Sequence, residues 1–194
     1  MRPRKKLLAI AAATVLLGTL AATAAAGRIS TSELRLTATF ATAEFAGPFG
    51  TTRCPVTVEG SFHERTTDKT AARLVGYITS DRLGACTAGS ATVLTETLPW
   101  HITYSSFSGT LPNITAFNAN IIGMSFIIRE GASNCLARST TTEPGRIALN
   151  RESGGVLSSA TMSGELRAGL ECLGVKGTLR GTSNSLTAAR ITLI

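Results

Sequence analysis

The residues of this chain with the chemistry to act on other molecules are four cysteines, two histidines and a thin scatter of acids. Cys54, Cys86, Cys135 and Cys172 are separated by 32, 49 and 37 positions. A zinc site made of four thiolates normally uses close C-x2–4-C pairs, so that one turn supplies two corners of the tetrahedron. These spacings lack such pairs, and no pattern marks one cysteine as a nucleophile. An even set at wide spacing reads instead as two disulfides. Three connectivities are open. Cys54–Cys86 with Cys135–Cys172 is favoured, because each pair then flanks a compact run of strands and turns.

His63 and His101 are the candidates for general acid–base work, with Asp68 or Asp81 as the orienting carboxylate. His63 sits in the polar run His63-Glu64-Arg65-Thr66-Thr67-Asp68-Lys69, which reads as a solvated hairpin loop. His101 alternates with Trp100 and Ile102, which points it outward beside Thr103 and Ser105. A hydrolase needs one of them to meet a carboxylate and a hydroxyl in a single cleft. The Gly-x-Ser-x-Gly elbow is absent, and Thr66-x-x-Lys69 lacks the serine of the penicillin-binding pattern. No zincin, P-loop, dinucleotide or calcium-loop motif occurs. The 12 acids stand singly, so no glycosidase pair suggests itself. The sequence therefore assigns no catalytic residue, no cofactor and no metal ligand; two surface histidines are the simpler reading.

The N-terminus is more informative. Arg2, Arg4, Lys5 and Lys6 precede the uncharged stretch Leu7–Leu20, which runs into Ala24-Ala25-Ala26 and Gly27. A basic start, an apolar segment and a small-residue end are the parts of a secretory signal peptide, with cleavage expected before Gly27. Retention as a membrane anchor is the alternative, although the Ala- and Thr-rich second half is weakly apolar. Without an Arg-Arg pair, the general secretory route is expected. Removing residues 1–26 lowers the formal net charge from +7 to +3. The remaining basic residues are spread singly, without the stripes and interleaved aromatics of nucleic-acid binders, so no nucleic-acid partner is expected. No transmembrane segment is expected in the mature chain.

Residues 27–194 read as a single β-rich domain. Leu34, Leu36, Ala38 and Phe40 share one strand face, as do Cys54, Val56, Val58 and Phe62, and again Val156, Ala160, Met162 and Leu166. The 29 threonines suit a pleated surface. Further strands are expected at Ala72–Thr79, Ala91–Glu96, Trp100–Phe107, Thr115–Ile128 with a break near Gly123, Arg146–Asn150, Leu173–Leu179 and Leu186–Leu193. The expected fold is all-β, an antiparallel sandwich or barrel of nine to ten short strands. Gly60, Gly109, Gly164 and Gly177 each precede a polar residue and then Phe or Leu, which reads as a device for bending a sheet. Trp100, Ile102 and Tyr104 have core parity. The apolar run Ile121–Ile128 reads as a covered central strand; the sharper alternative makes Ile122, Met124 and Phe126 the wall of a ligand cavity.

Cys54-Pro55-Val56-Thr57-Val58-Glu59-Gly60, Leu98-Pro99-Trp100, Cys135 and Gly177-Thr178-Leu179-Arg180-Gly181-Thr182, behind an exported leader, resemble a loose group of secreted, Thr-rich β-proteins of actinobacteria. The resemblance spans roughly Leu34 to the C-terminus. It implies a secreted or envelope-associated β-domain with disulfides, and it carries over no activity and no functional residues. The leading expectation is a non-enzymatic exported domain that contacts envelope components. A small-ligand or lipid carrier, with an apolar cavity of ~300 Å³ or more, is the alternative; a secreted hydrolase is the third reading.

Overall fold

The computed structural model describes residues 27–110, 113–130, 133–152 and 154–193. The expected leader, residues 1–26, lies outside the described residues. The chain forms β1 (Arg28–Thr31), β2 (Arg35–Gly47), β3 (Gly50–Phe62), β4 (Thr66–Asp68), β5 (Leu74–Leu83), β6 (Ser90–Val93), β7 (Trp100–Thr110) and β8 (Asn113–Ile122). It continues through β9 (Ser125–Glu130), β10 (Ser133–Arg138), β11 (Gly145–Arg151), β12 (Leu157–Ala168), β13 (Gly177–Thr182), β14 (Ser185–Leu186) and β15 (Ile191–Leu193). Two single 3-10 turns, Thr95–Thr97 and Leu170–Cys172, complete the described elements.

Eight strands close into an antiparallel ring in the order β2, β3, β5, β7, β8, β11, β12, β13. The ring shuts where β13 pairs with β2, placing Leu179 opposite Phe45. Neighbours round the ring follow chain order, so this is an up-and-down barrel, and closure removes the exposed edges of its sheet. Of the two architectures the alternation allowed, the barrel is the one formed. The inward rows are the expected ones: Leu36, Ala38 and Phe40 on β2, Cys54, Val56 and Val58 on β3, and Trp100, Ile102 and Tyr104 on β7 are all buried.

The lumen is filled by setting large side chains against small ones on neighbouring strands. Gly60 lies opposite Ile78, Gly76 opposite Ile102, Gly145 opposite Ile121, Gly164 opposite Leu179 and Gly177 opposite Leu166. Two of these positions have no room for a Cβ. At Gly76 it would strike the Ser61 carbonyl oxygen, and at Gly145 the Met124 methyl group. The recurrent glycines serve different ends: Gly60 and Gly109 mark register shifts, while Gly164 lets β12 approach the Gly145 backbone closely.

Both barrel ends carry added structure. At one, β10 pairs with the end of β12, β9 with β10, and β6 with β9, forming a ribbon that folds over the opening. Phe126 of β9 plugs that end, with its ring edge-on to Phe45 (5.2 Å) and Trp100 (5.4 Å). The Trp100 indole donates to Thr97 Oγ1 at 2.8 Å, so its buried N–H is satisfied. Elsewhere, β1 lies between β4 and β15 in a separate three-stranded sheet.

Several strand expectations need correction, each for a local reason. Val156 has the parity of the buried row, yet it is exposed and Leu157 points inward, because the ladder shifts register between Asn150 and Arg151. Thr103 is buried, not outward-facing with His101. The strand expected over Leu173–Leu179 begins only at Gly177; Cys172 ends a 3-10 turn, and Leu173 and Val175 lie in a loop.

Candidate functional site

The structure brings the two histidines to one place. Tyr77 on β5 lies directly opposite His101 on β7. Its ring stands edge-on between His63 (4.6 Å) and His101 (5.4 Å) on the outer wall. No hydrogen bond or ion pair reaches either imidazole among the described residues. Asp68 is engaged by Arg28 at 3.2 Å and Arg73 at 3.4 Å. Asp81, the other carboxylate considered for a triad, lies on the opposite side of the wall. A row of three aromatic rings results, and among the described residues no acid is aligned with either imidazole as a proton relay.

Asp81 is buried on β5 and pairs with the inward-facing Val58. The β3–β5 ladder shifts at Glu59/Gly60, with Ser80 opposite Glu59 and Ile78 opposite Gly60. Thr79 is thereby the extra residue of a bulge, and the residues after it change face. Strict alternation from Ile78 places Asp81 outside, so its burial follows from the bulge and not from the local pattern. Its Oδ1 has no hydrogen-bond partner among the described residues. Burial pushes its pKa up to about 7, because an apolar surrounding disfavours the charged form.

The lumen retains an apolar gap, lined among others by Leu36, Val58, Phe62, Ile102, Phe117 and Leu149, with a volume of ≈ 40 Å³. That is far below the ~300 Å³ at which sites for drug-sized ligands begin. The residues expected to wall a ligand cavity are elsewhere. Met124 and Phe126 are fully buried at the ribbon-covered end. Ile122 is half-buried opposite His101. Gly123 (φ 94°) turns the chain between β8 and β9, so Ile122 does not share a face with the two residues that follow the turn.

Both expected disulfides are formed, Cys54–Cys86 and Cys135–Cys172. The second braces a feature that the sequence reading missed. After β12 the chain makes the Leu170–Cys172 turn, where Cys172 is wholly buried while Leu170 is 91% exposed. Leu173 follows in the left-handed region (φ 60°) and is 73% exposed; Val175 is exposed as well. The loop is held at its base. The Gly169 N–H donates to the Leu136 carbonyl, and the Leu136 N–H donates to the Glu171 carboxylate at 3.2 Å. The β2–β3 turn, with exposed Phe49, belongs to the same end, where Gly47, Pro48, Cys135 and Gly177 line one shallow depression. Beside the loop, Arg138 and Arg167 face each other across the β10–β12 ladder, both exposed and neither ion-paired among the described residues. A legible signal did exist: Leu170, Leu173 and Val175 surround a cysteine with Gly169 and Gly174, a composition that suits a turn as well as a strand.

Among the described residues no group of three or more His, Cys, Asp or Glu side chains is placed to hold a metal ion. No helix among them is long and apolar enough to cross a membrane. Comparison with protein-family models, with curated proteins and with solved structures gives no match for this chain.

Proposed function

We propose that this chain is exported by the general secretory route and acts as a non-enzymatic β-barrel through surface contacts at the cell envelope. The observation that carries the reading is the pairing of all four cysteines, with the Cys135–Cys172 bridge bracing a loop of exposed apolar side chains. Disulfides persist in oxidising compartments, and the basic–apolar–alanine N-terminus supplies a route to one. A closed barrel that gives its interior to packing leaves loops and outer walls for recognition. Cell fractionation tests the reading. The intact chain is expected outside the cytoplasm with its cysteines oxidised, whereas a variant lacking Leu7–Leu20 stays inside with free thiols. Equal distribution of the two would refute export.

A second reading rests on the lumen gap, whose nearly all-apolar lining suits the tip of an alkyl chain. Its volume is too small for a whole lipid, so it describes a minor subsite and not a carrier. Exposure to xenon under pressure, followed through the methyl resonances of Leu36 and Leu149, tests it; unshifted resonances at saturating xenon count against it.

A further inference from the structure

We propose that the ribbon-covered end of the barrel docks on an anionic lipid surface, with Leu170 and Leu173 entering the interfacial layer beside Phe49 and with Arg138 and Arg167 holding lipid phosphate. The proposal rests on the reading of an exported, surface-acting protein and names the surface.

Four observations point the same way. First, the large apolar side chains exposed among the described residues are Phe49, Val156, Leu170, Leu173 and Val175, and all but Val156 lie in two loops of this one end. Single exposed apolar residues are ordinary, but such a concentration marks a contact surface. Second, Leu173 holds its side chain in solvent from a left-handed backbone, a region that bulky side chains seldom adopt. Third, the loop is anchored at its base by Cys135–Cys172, by Gly169 to Leu136 and by Glu171 to Leu136, which limits the ordering left to be done on binding.

The fourth observation selects the occupant. Arg138 and Arg167 are direct cross-strand neighbours, and like charges so placed repel unless an anion lies between them. A phosphate accepts from two guanidinium groups at once. Among the described residues, Glu171 accepts from the Leu136 N–H and Glu165 pairs with Lys176 at 3.1 Å, so neither offsets the arginines. Protruding leucines backed by unneutralised arginines fit a flat, deformable surface with anionic headgroups and an apolar interior.

The test is co-sedimentation of the oxidised protein with phosphatidylcholine vesicles, with and without phosphatidylglycerol. All variants share one N-terminus, so any contribution of residues 1–26 cancels. Wild type is expected to bind the phosphatidylglycerol vesicles and to weaken as salt rises. Leu170→Ser/Leu173→Ser is expected to lose at least about tenfold in affinity. Arg138→Gln/Arg167→Gln is expected to bind both vesicle types alike. An unchanged thermal midpoint in each variant confirms that the fold is intact. Equal binding by wild type and the leucine variant overturns the proposal. So does a wild type indifferent to phosphatidylglycerol, or a vesicle-free dimer that the leucine variant abolishes, which would make a second copy the occupant. Lack of vesicle binding by a protein that is still exported and oxidised would sink only this proposal; a reduced, retained protein would sink the export reading.

Discussion

Cys172 and Leu173 are consecutive residues with opposite environments: the sulfur is sealed in the protein and bridged to Cys135, while the leucine beside it is 73% exposed. The bridge supplies the anchor against which the left-handed Leu173 is held. It links positions 37 apart. In the chain-entropy model, closing a loop of that size contributes about 4 kcal/mol. Cys135→Ser/Cys172→Ser is therefore expected to lower the stability to chemical denaturation by about 2–4 kcal/mol. It should also raise amide exchange across Gly169–Val175 first, since the local brace goes with it.

Asp81 predicts how stability depends on pH. Its carboxyl is held up to about 7 in the folded barrel by burial, against 3.8 as the ordinary value for an aspartic acid. Between those values the folded state binds the proton and the unfolded state does not. Stability therefore falls as pH rises from about 4 to about 7, by up to ~1.4 kcal/mol per pH unit, and levels off above that. Asp81→Asn keeps the shape and removes the titration. Denaturation midpoints of the variant are expected to stay flat across the window in which wild type declines; parallel curves would contradict this.

Close strand approach at Gly76 makes a third expectation. A Cβ there meets the backbone of Ser61, which cannot swing aside, whereas one at Gly47 meets open space. Gly76→Ala should cost about 1–3 kcal/mol or more. Gly47→Ala should stay within about 0.5 kcal/mol of wild type. Thermal midpoints of the two variants side by side check the contrast.

Phe117 bears on how fully the lumen is filled. Its ring lies between those of Phe62 (5.9 Å) and Tyr104 (5.8 Å) and borders the apolar gap. Truncation to Ala is expected to cost about 3–5 kcal/mol, because the neighbouring strands of a closed ring cannot collapse inward to refill the space. The enlarged cavity should also admit benzene-sized probes more readily than the wild-type lumen does.

Much of this architecture is legible in the chain, and the failures have definite causes. Alternation on β2, β3 and β7 gave the inward rows because those stretches keep period two between bulges. The two disulfides were legible because an even, widely spaced set leaves few chemical alternatives. Barrel closure was not legible, since it depends on Leu179 finding Phe45 across most of the chain, a pairing that no local pattern records. Val156 was misplaced by a register shift of one residue, and a second such shift turns Asp81 inward, each reversing every face beyond it. The Leu173–Val175 part of the tip was read as the start of a strand because its apolar parity imitates one; only the left-handed Leu173 and the 3-10 turn before it show otherwise.

The measurement that bears most directly on the exported, disulfide-locked barrel is non-reducing peptide mapping of the protein recovered from outside the cytoplasm. The account predicts an N-terminal peptide starting at Gly27 and two bridged species, Cys54 with Cys86 and Cys135 with Cys172. Four free thiols, or a chain found only inside the cell with Met1 in place, would contradict it.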